Sequence, residues 1–336
     1  MADPDHRRGG VRAALLRQDV ILLVVFAAMV AFFTGMNSAF LTAFSIANIL
    51  QDWAPVMLLA IGETFVIVTA GIDLSVGSNL GLTGVVCALT MRHMHAAGDA
   101  AALSILVGIV AALATGALVG LVNGLLITKI KLAPFIATLA TMGAAAGITL
   151  VVTNGVQIAG GPRQVITIGN TTYLRVLTVP LIAVFVVLLV AWAVLAGTRF
   201  GRWTYGIGSN EFASRGAGID VRRHLLKVYL LSGALAGLAG VFVYFRLGSG
   251  SPTSGQGQEL AAIAAAVIGG TSLFGGSGRM SGTVLGALIT TSVLSGLILI
   301  GVEPNWQQVV IGALIAVAVG VQGINIGRAR KGARDG

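Results

Sequence analysis

Residues 71–86 read GIDLSVGSNLGLTGVV, and they place a carboxylate, Asp73, between long apolar segments. The glycines on either side of it weaken helix continuity. Asp73 and Ser75 have short polar side chains that can accept hydrogen bonds from backbone N–H groups and cap a new helix. The stretch therefore predicts a break between two helical segments at Gly71–Ser78.

The composition of the whole chain indicates a membrane protein. The 336 residues are 56% hydrophobic and 10% charged, and the mean hydropathy is +0.93, whereas a soluble domain is about a quarter charged. Runs of about 20 apolar residues recur, which is the length that crosses the core of a bilayer. The sequence predicts an all-α polytopic membrane protein. Irregular backbone at 71–78 then has to be enclosed by protein or by a water-filled cavity.

Ten transmembrane helices are predicted from the apolar runs. The first run follows several arginines and resembles a signal peptide, but it continues through Phe40 without a convincing cleavage site, so we expect an uncleaved first span. Together the spans form one transmembrane domain at 20–325, between an N-terminal tail at 1–19 and a basic tail at 326–336. The predicted spans are 20–40, 54–70, 76–91, 101–123, 133–152, 177–197, 227–247, 259–275, 281–300 and 306–325.

The basic residues predict the orientation of the chain. With the N-terminus inside, 17 of the 21 lysines and arginines fall on cytoplasmic segments, as the positive-inside rule requires. The exceptions are Arg92, Arg163, Arg175 and Arg246. Both tails and the loop at 198–227 are therefore predicted to be cytoplasmic. The net charge of +9 is distributed over these short segments, which argues against nucleic acid as a partner.

Two acids, Glu63 and Asp73, lie within apolar runs. Acids at membrane depth are costly and mark a polar path or a charge pair. Asp73 has an alternative role as a helix cap in a short cytoplasmic turn, and Glu63 has one as the partner of a basic residue on another helix. Neither acid has a nucleophile, a metal ligand or a base near it in sequence, so no catalytic or metal site is predicted.

A second break is predicted at Gly269–Gly278, which reads GGTSLFGGSG. Broken helices in corresponding positions of the two halves of a membrane protein are typical of internal repeats around a transport path. The segment lacks the Gly-Lys-Ser/Thr of a phosphate-binding loop.

Small residues at every fourth position also predict close helix packing. They form three stripes: Gly108, Ala112, Gly116, Gly120 and Gly124; Gly233 and Gly237; and Gly312, Ala316 and Gly320.

The predicted loop at 198–227 reads TRFGRWTYGIGSNEFASRGAGIDVRRHLLK and includes a short helix. Ser209 or Asn210 can cap this helix, and Glu211 falls in its first turn, where the helix dipole favours an acid. An apolar patch follows, and two glycines end the helix. A short helix between two spans suits docking of a cytoplasmic partner. The alternative is a solvated loop whose charges only set the orientation.

Four motifs follow one another along the chain: GIDLSVGS at 71–78, NGLLITKIKLAPFIATLATM at 123–142, GRWTYGIGSNEFASRGAGI at 201–219 and AAVIGGTSLFGG at 265–276. With Trp306-Gln307-Gln308, they resemble the membrane permeases of ribose-type sugar ABC importers, which include systems for ribose, xylose, arabinose, galactose and autoinducer-2. The resemblance covers the chain from about Phe40 to Val321. Ala70 departs from it, because many members have a second glycine there.

The resemblance implies a permease subunit that is not itself an enzyme. Two permease subunits, a homodimer rather than a heterodimer, would form a path across the bacterial cytoplasmic membrane. An extracytoplasmic solute-binding protein would deliver a monosaccharide or a related polyol. Cytoplasmic ATP-binding subunits would hold ATP and Mg²⁺, so no cofactor is expected in this chain. The sequence contains no Gly-x4-Gly-Lys-Ser/Thr motif for ATP.

The resemblance also implies where ATP-driven motion enters. The coupling residues would be Ser209, Asn210, Glu211, Phe212, Ala213, Arg215, Gly216 and Gly218. For the substrate path, polarity and span position favour Asp73, Ser75, Asn79, Asn123, Phe135, Thr138, Thr141 and Asn154. A buried asparagine or threonine has the alternative role of an interhelical hydrogen bond.

Two other classes of protein are alternatives. An ion-coupled secondary transporter would use Glu63, Asp73 and Glu259 to carry the ion, and it gives the predicted helix in the loop at 198–227 no role. A membrane-embedded enzyme would need clustered catalytic side chains. The nearest candidates are Arg92, His93 and His95 in what is predicted to be an exposed loop, and a solvated turn is the alternative there.

Overall fold

A computed structural model describes the backbone of residues 4–303 and 305–332 and the side chains of residues 19–303 and 305–320. The predicted tails at 1–19 and 326–336 thus lie largely outside the described side chains. The described residues form helices without a β-strand, which confirms the all-helical prediction. The helices are α1 (Pro4–Met36), a 3₁₀ helix (Ser38–Leu41), α2 (Ala43–Val68), α3 (Val76–Ala96), α4 (Ala101–Thr128), α5 (Pro134–Thr153), α6 (Gln164–Asn170), α7 (Val179–Gly197), α8 (Arg199–Ser209), α9 (Glu211–Gly216), α10 (Val221–Leu247), α11 (Gln258–Ile268), α12 (Met280–Leu299) and α13 (Trp306–Gly332).

Seven of the described helices are long and apolar enough to span a bilayer, namely α1, α2, α4, α5, α7, α10 and α12. They confirm the prediction of a polytopic membrane protein. The other three predicted spans fall on α3, α11 and α13, which are not among these seven. α3 has 21 residues and is about 31 Å long, but it is more polar than the seven. Because α4, α5 and α10 pack around it, its surface does not have to match lipid.

The predicted span at 259–275 is wrong as a continuous helix. α11 has 11 residues and is about 16 Å long, about half of a bilayer core of about 30 Å. Before it, residues 248–257 run without helical structure alongside α3. Glycine permits this approach, because a Cβ on Gly255 would overlap the carbonyl oxygen of Gly77.

The glycine stripes of α4 and α10 bring these two helices into backbone contact at the centre of the fold. A Cβ on Gly116 would overlap the carbonyl oxygen of Gly233, so no larger residue fits there. Asn79 of α3 donates to the carbonyl oxygens of both glycines at 3.3 Å. The close packing predicted for these stripes is confirmed. In the third stripe, a Cβ on Gly312 or Gly320 would meet nothing within 4 Å among the described residues.

The segment 198–227 is mostly helical, which corrects the prediction of a loop with one short helix. α8 begins after Thr198, whose hydroxyl accepts the N–H of Gly201 at 3.3 Å, and α9 follows almost at once. α10 begins after Asp220, whose carboxylate accepts the N–H of Arg223 at 3.0 Å. α8 was not predicted, because this helix is short and amphipathic and contains three glycines.

Candidate functional site

The first break separates α2 from α3 at residues 69–75. It confirms the predicted interruption, although α3 already begins at Val76. Ala70 adopts a φ of +62°, a left-handed conformation that is uncommon for a residue with a Cβ. This alanine stands where the resemblance leads us to expect glycine, so the break carries local backbone strain.

Ala70→Gly is expected to leave transport unchanged and to stabilise the fold by about 1 kcal/mol, because glycine adopts this conformation without a Cβ penalty. Thermal unfolding of the purified protein in detergent measures the change. Ala114→Gly, on an exposed helical position of α4, is the control and should destabilise by about 1 kcal/mol. An equal loss of stability in both variants would contradict strain at Ala70.

Asp73 is the centre of a buried hydrogen-bond network at this break. The residue is 1% exposed. Its Oδ1 accepts the N–H of Ser75 at 3.0 Å, the Ser75 hydroxyl at 2.6 Å and the Asn123 side-chain amide at 3.3 Å. Its Oδ2 accepts the hydroxyl of Ser232 at 3.0 Å. All four partners are donors, which matches a carboxylate that only accepts.

This geometry corrects two parts of the sequence interpretation. The alternative role of Asp73 as a helix cap alone is wrong, because its carboxylate also accepts hydrogen bonds from Asn123 of α4 and Ser232 of α10. Ser75 does occupy the N-cap position of α3, but its side chain makes no capping hydrogen bond to that helix. Ser232 was missed by the sequence analysis, and the only signal for it was its place beside Gly233 in a small-residue stripe.

The network continues into α5. The Asn123 amide donates to the Ser75 hydroxyl at 2.8 Å, and its Oδ1 accepts the Thr141 hydroxyl at 2.5 Å. The Thr138 hydroxyl lies 3.2 Å from the carbonyl oxygen of Ile72 in the break. Five of the eight residues predicted for the substrate path therefore lie together, and they join the break to α4 and α5.

The other three predicted path residues lie apart from this network. Asn79 faces the backbone junction of α4 and α10, which is the interhelical role named as its alternative. Phe135 is 53% exposed on α5. Asn154 ends α5 in a left-handed conformation and is exposed. The path candidates that lie together are thus those near the first helix break, and a polar residue's position along a span did not predict this grouping.

Two further acids lie near the first break. Glu63 is 0% exposed and close enough to Asp73 for their charges to interact. Neither of its carboxylate oxygens has a hydrogen-bond partner, and it takes part in none of the ion pairs among the described residues. The predicted pairing of Glu63 with a base is therefore wrong. Glu259 of α11 packs against Gly77, in the first turn of α3.

The second break, at residues 269–279, contacts the first. The N–H of Gly276 donates to the carbonyl oxygen of Val68, the last residue of α2, at 2.9 Å. Gly275 and Gly276 have φ of +80° and +71°, and a Cβ on Gly275 would lie 2.7 Å from that of Ala70. The predicted pair of breaks is confirmed, and the two meet backbone to backbone.

The last turn of α8 packs on this contact. A Cβ on Gly208 would overlap the carbonyl oxygen of Val68 and would lie 2.6 Å from the amide nitrogen of Gly276. The Tyr205 hydroxyl donates to the carbonyl oxygen of Gly278 at 2.8 Å. Burial raises the pKa of Tyr205, so the phenol keeps this proton at neutral pH. We call the meeting of Val68, Gly208 and Gly276 the break junction.

α9 is a short exposed helix directly after α8. The Asn210 side chain accepts the N–H three residues later at 2.9 Å, and Glu211 forms an ion pair with Arg215 one turn on. Phe212 is 88% exposed. The predicted helix and its cap at Asn210 are confirmed, whereas Ser209 is the last residue of α8.

Comparison with known proteins shows clear relatives. The chain is 41% identical over 286 residues to the ribose import permease protein of Escherichia coli (strain K12), covering 84% of this chain and 86% of the relative. It is 44% identical over 255 residues to the ribose import permease protein of Bacillus subtilis (strain 168), covering 76% and 77%. It is 38% identical over 266 residues to the D-allose transport system permease protein of Escherichia coli (strain K12), covering 79% of each chain. No solved structure matches the chain.

Seven apolar helices around two adjoining helix breaks define a multi-pass membrane protein. The chain belongs to the family described as branched-chain amino acid transport system / permease component, whose model matches residues 45–319. Its relatives confirm the resemblance to ribose-type import permeases, and they place the chain in the bacterial inner membrane.

Proposed function

We propose that this chain is the permease subunit of an ATP-driven importer for a monosaccharide or a related polyol. The observation that carries this proposal is the 41% identity to a ribose import permease over 84% of the chain. Other relatives are named for D-allose and fructose. These sugars differ in carbon number and hydroxyl geometry, so the relatives support a substrate class rather than a single sugar. The chain itself transports and does not catalyse.

The proposed topology has ten crossings and cytoplasmic termini. Seven crossings are the long apolar helices. α3 and α13 would supply two more, and the non-helical segment 248–257 with α11 would supply another. An even number places both termini on one side, and the distribution of basic residues favours the cytoplasm. α8 and α9 then face the cytoplasm beside both breaks.

The importer would contain a second, identical permease, a solute-binding protein outside the cell and ATP-binding subunits inside it. ATP and Mg²⁺ would bind to those subunits. α9 is the docking surface in this proposal. Its Phe212 projects almost fully into the surroundings, and covering a large apolar side chain with a partner protein is favourable.

Motion of α9 would reach the membrane helices through backbone contacts. Only Asn210 separates α9 from α8, so displacing one helix displaces the other. At Gly208 the backbone of α8 touches Val68 and Gly276 with no side chain between them to absorb a shift. Closely packed contacts of this kind move between discrete arrangements rather than deforming smoothly. The end of α2 would move with α8, and the Asp73 network would pass the motion to α4, α5 and α10.

Phe212→Asp is expected to lower ATP-dependent uptake about tenfold, since it places a charge in the apolar contact with the ATP-binding subunit. Because the side chain is exposed, insertion and folding should not change. Uptake in whole cells, normalised to permease in the membrane, measures the effect. Arg202→Ala, at an exposed position in the first turn of α8, is the control. Normal uptake by the Phe212 variant would remove the docking role.

Affinity purification from gently solubilised membranes tests the proposed assembly. The tagged chain should recover an ATP-binding subunit that mass spectrometry identifies, and the Phe212→Asp variant should recover less of it. Recovery of the chain without an ATP-binding subunit, together with sugar uptake that survives ATP depletion, would overturn the proposal in favour of a secondary transporter.

A further inference from the structure

A cavity of about 330 Å³ lies between α2, α10 and α12, away from the Asp73 network. Its lining includes Asp52 of α2, which precedes Val68 by 16 residues, or about 24 Å along the helix. In the proposed topology, the cavity therefore lies toward the extracytoplasmic side. Its volume is at the lower end of the range for small-molecule sites, about 300–1,000 Å³.

The cavity wall carries an ion pair that joins two helices. Arg246 of α10 and Asp52 of α2 bond through Nη1 and Oδ1, and their side chains remain 27% and 48% exposed. The pair has no net charge, so it attracts neither anions nor cations strongly. The ion pair uses one of the two carboxylate oxygens and one of the three guanidinium nitrogens. The remaining oxygen and nitrogens can bind adjacent hydroxyl groups of a ligand.

Two polar atoms of the wall have no partner. The Thr291 hydroxyl is in a residue that is 2% exposed, yet it makes no hydrogen bond. Gln258 is only partly buried as a residue, but its Oε1 atom is buried and also makes no hydrogen bond. In contrast, the neighbouring Thr290 bonds to the carbonyl oxygen one turn back at 2.9 Å. Buried polar atoms are rarely left unpaired, and exceptions call for a functional explanation. Both residues line the cavity, and a rotation of each side chain would turn its unpaired atom toward a ligand rich in hydroxyl groups.

An apolar surface completes the wall. Phe242 of α10, which is 9% exposed, lines the cavity together with aliphatic side chains. A second cavity, of about 400 Å³ between α2, α7 and α10, is lined by Phe65, Val190 and similar side chains. Apart from Lys227, the side chains that line that cavity are apolar, as a lipid chain would need. Only the first combines a neutral ion pair, unpaired hydrogen-bonding atoms and an aromatic face.

We propose that this cavity is a sugar-binding site of the permease on the extracytoplasmic side of the path. Its ligand is an uncharged polyhydroxylated molecule of monosaccharide size. Asp52 and Arg246 bind adjacent hydroxyl groups, Gln258 and Thr291 bind others, and Phe242 packs on the apolar face of the ligand. The inference that the ligand is a sugar rests on the proposed function, whereas the location of the site rests on the cavity itself.

The test measures equilibrium binding of radiolabelled D-ribose, D-allose and D-fructose to the purified permease complex without its solute-binding protein. Thr291→Val removes the unpaired hydroxyl without changing its shape, so the fold should be at least as stable as the wild type. We expect it to raise the dissociation constant of the bound sugar about fivefold to tenfold. Thr290→Val, which alters a hydroxyl already bonded within α12, should leave that constant unchanged.

A second variant, Ser295→Trp, changes a residue of α12 that also lines the cavity. The tryptophan fills the cavity and should abolish binding without lowering the amount of inserted protein. Two results would overturn this site and leave the proposed function intact. One is wild-type sugar affinity in both Thr291→Val and Ser295→Trp. The other is a complex that performs ATP-dependent uptake but binds no sugar in this assay. The site would also be overturned if Ser295→Trp separated the permease subunits while Thr291→Val kept the wild-type sugar affinity. The cavity would then belong to a contact between subunits. A wild-type complex that neither binds nor takes up any of the three sugars would contradict the proposed function as well.

Discussion

Asp73→Ala is expected to abolish uptake and to lower the unfolding temperature of the permease. The change leaves four donors without their acceptor: the N–H and hydroxyl of Ser75, the Ser232 hydroxyl and the Asn123 amide. Each buried donor left unpaired costs about 1–3 kcal/mol. Since a whole domain is stable by about 5–15 kcal/mol, the loss is a large fraction of the total.

Asp73→Asn separates the need for an acceptor from the need for a charge. The asparagine oxygen can replace Oδ1, and its amide can donate to the Ser232 hydroxyl, so the variant should fold and retain more uptake than alanine does. Asp99→Ala, in the exposed turn between α3 and α4, should behave as the wild type. Wild-type uptake and stability in Asp73→Ala would contradict a structural network centred on this carboxylate.

Gly208→Ala is expected to uncouple the transporter. The added Cβ would overlap the carbonyl oxygen of Val68 and lie 2.6 Å from the nitrogen of Gly276. Both are backbone atoms, so no side chain can move aside, and α8 has to separate from the break junction. Uptake should fall about tenfold or more, because a displacement of this kind disrupts positioning far from the changed residue. ATP hydrolysis and recovery of the ATP-binding subunit should persist, since α9 is unchanged.

Gly206→Ala provides a matched control on the same helix. A Cβ at Gly206 would meet only the Ser214 hydroxyl, at 3.4 Å, which is an ordinary contact. This variant should transport sugar at the wild-type rate. If Gly208→Ala transports equally well, the break junction does not carry motion from α9 to the membrane helices. If it loses the ATP-binding subunit instead, the defect lies in docking.

The sequence predicted features that depend on local residue chemistry. The glycines and Asp73 indicated the first break, Asn210 indicated the cap of α9, and the small residues of α4 and α10 indicated close packing. In each case a single residue type has a strong preference for one local conformation or contact. These preferences act over a few residues along the chain, which is why the sequence alone reveals them.

Features that depend on distant parts of the chain were not predictable in this way. Ser232 contributes to the Asp73 network only because α10 passes beside the first break, 159 residues later in the sequence. The partnership of Asp52 and Arg246 joins residues 194 apart. α11 was predicted too long because apolar composition extends past its end at Ile268, where glycines end the helix. Such arrangements follow from packing rather than from local preference.

Uptake by reconstituted vesicles tests most directly whether ATP drives this permease. The chain, purified with the ATP-binding subunit it recovers and supplied with its solute-binding protein, would be placed in vesicles with ATP either inside or absent. We expect accumulation of a radiolabelled monosaccharide that requires internal ATP and persists when ionophores collapse proton and sodium gradients. Accumulation by the chain alone, driven by an ion gradient and independent of ATP, would contradict this expectation and would assign Glu63, Asp73 and Glu259 to ion coupling.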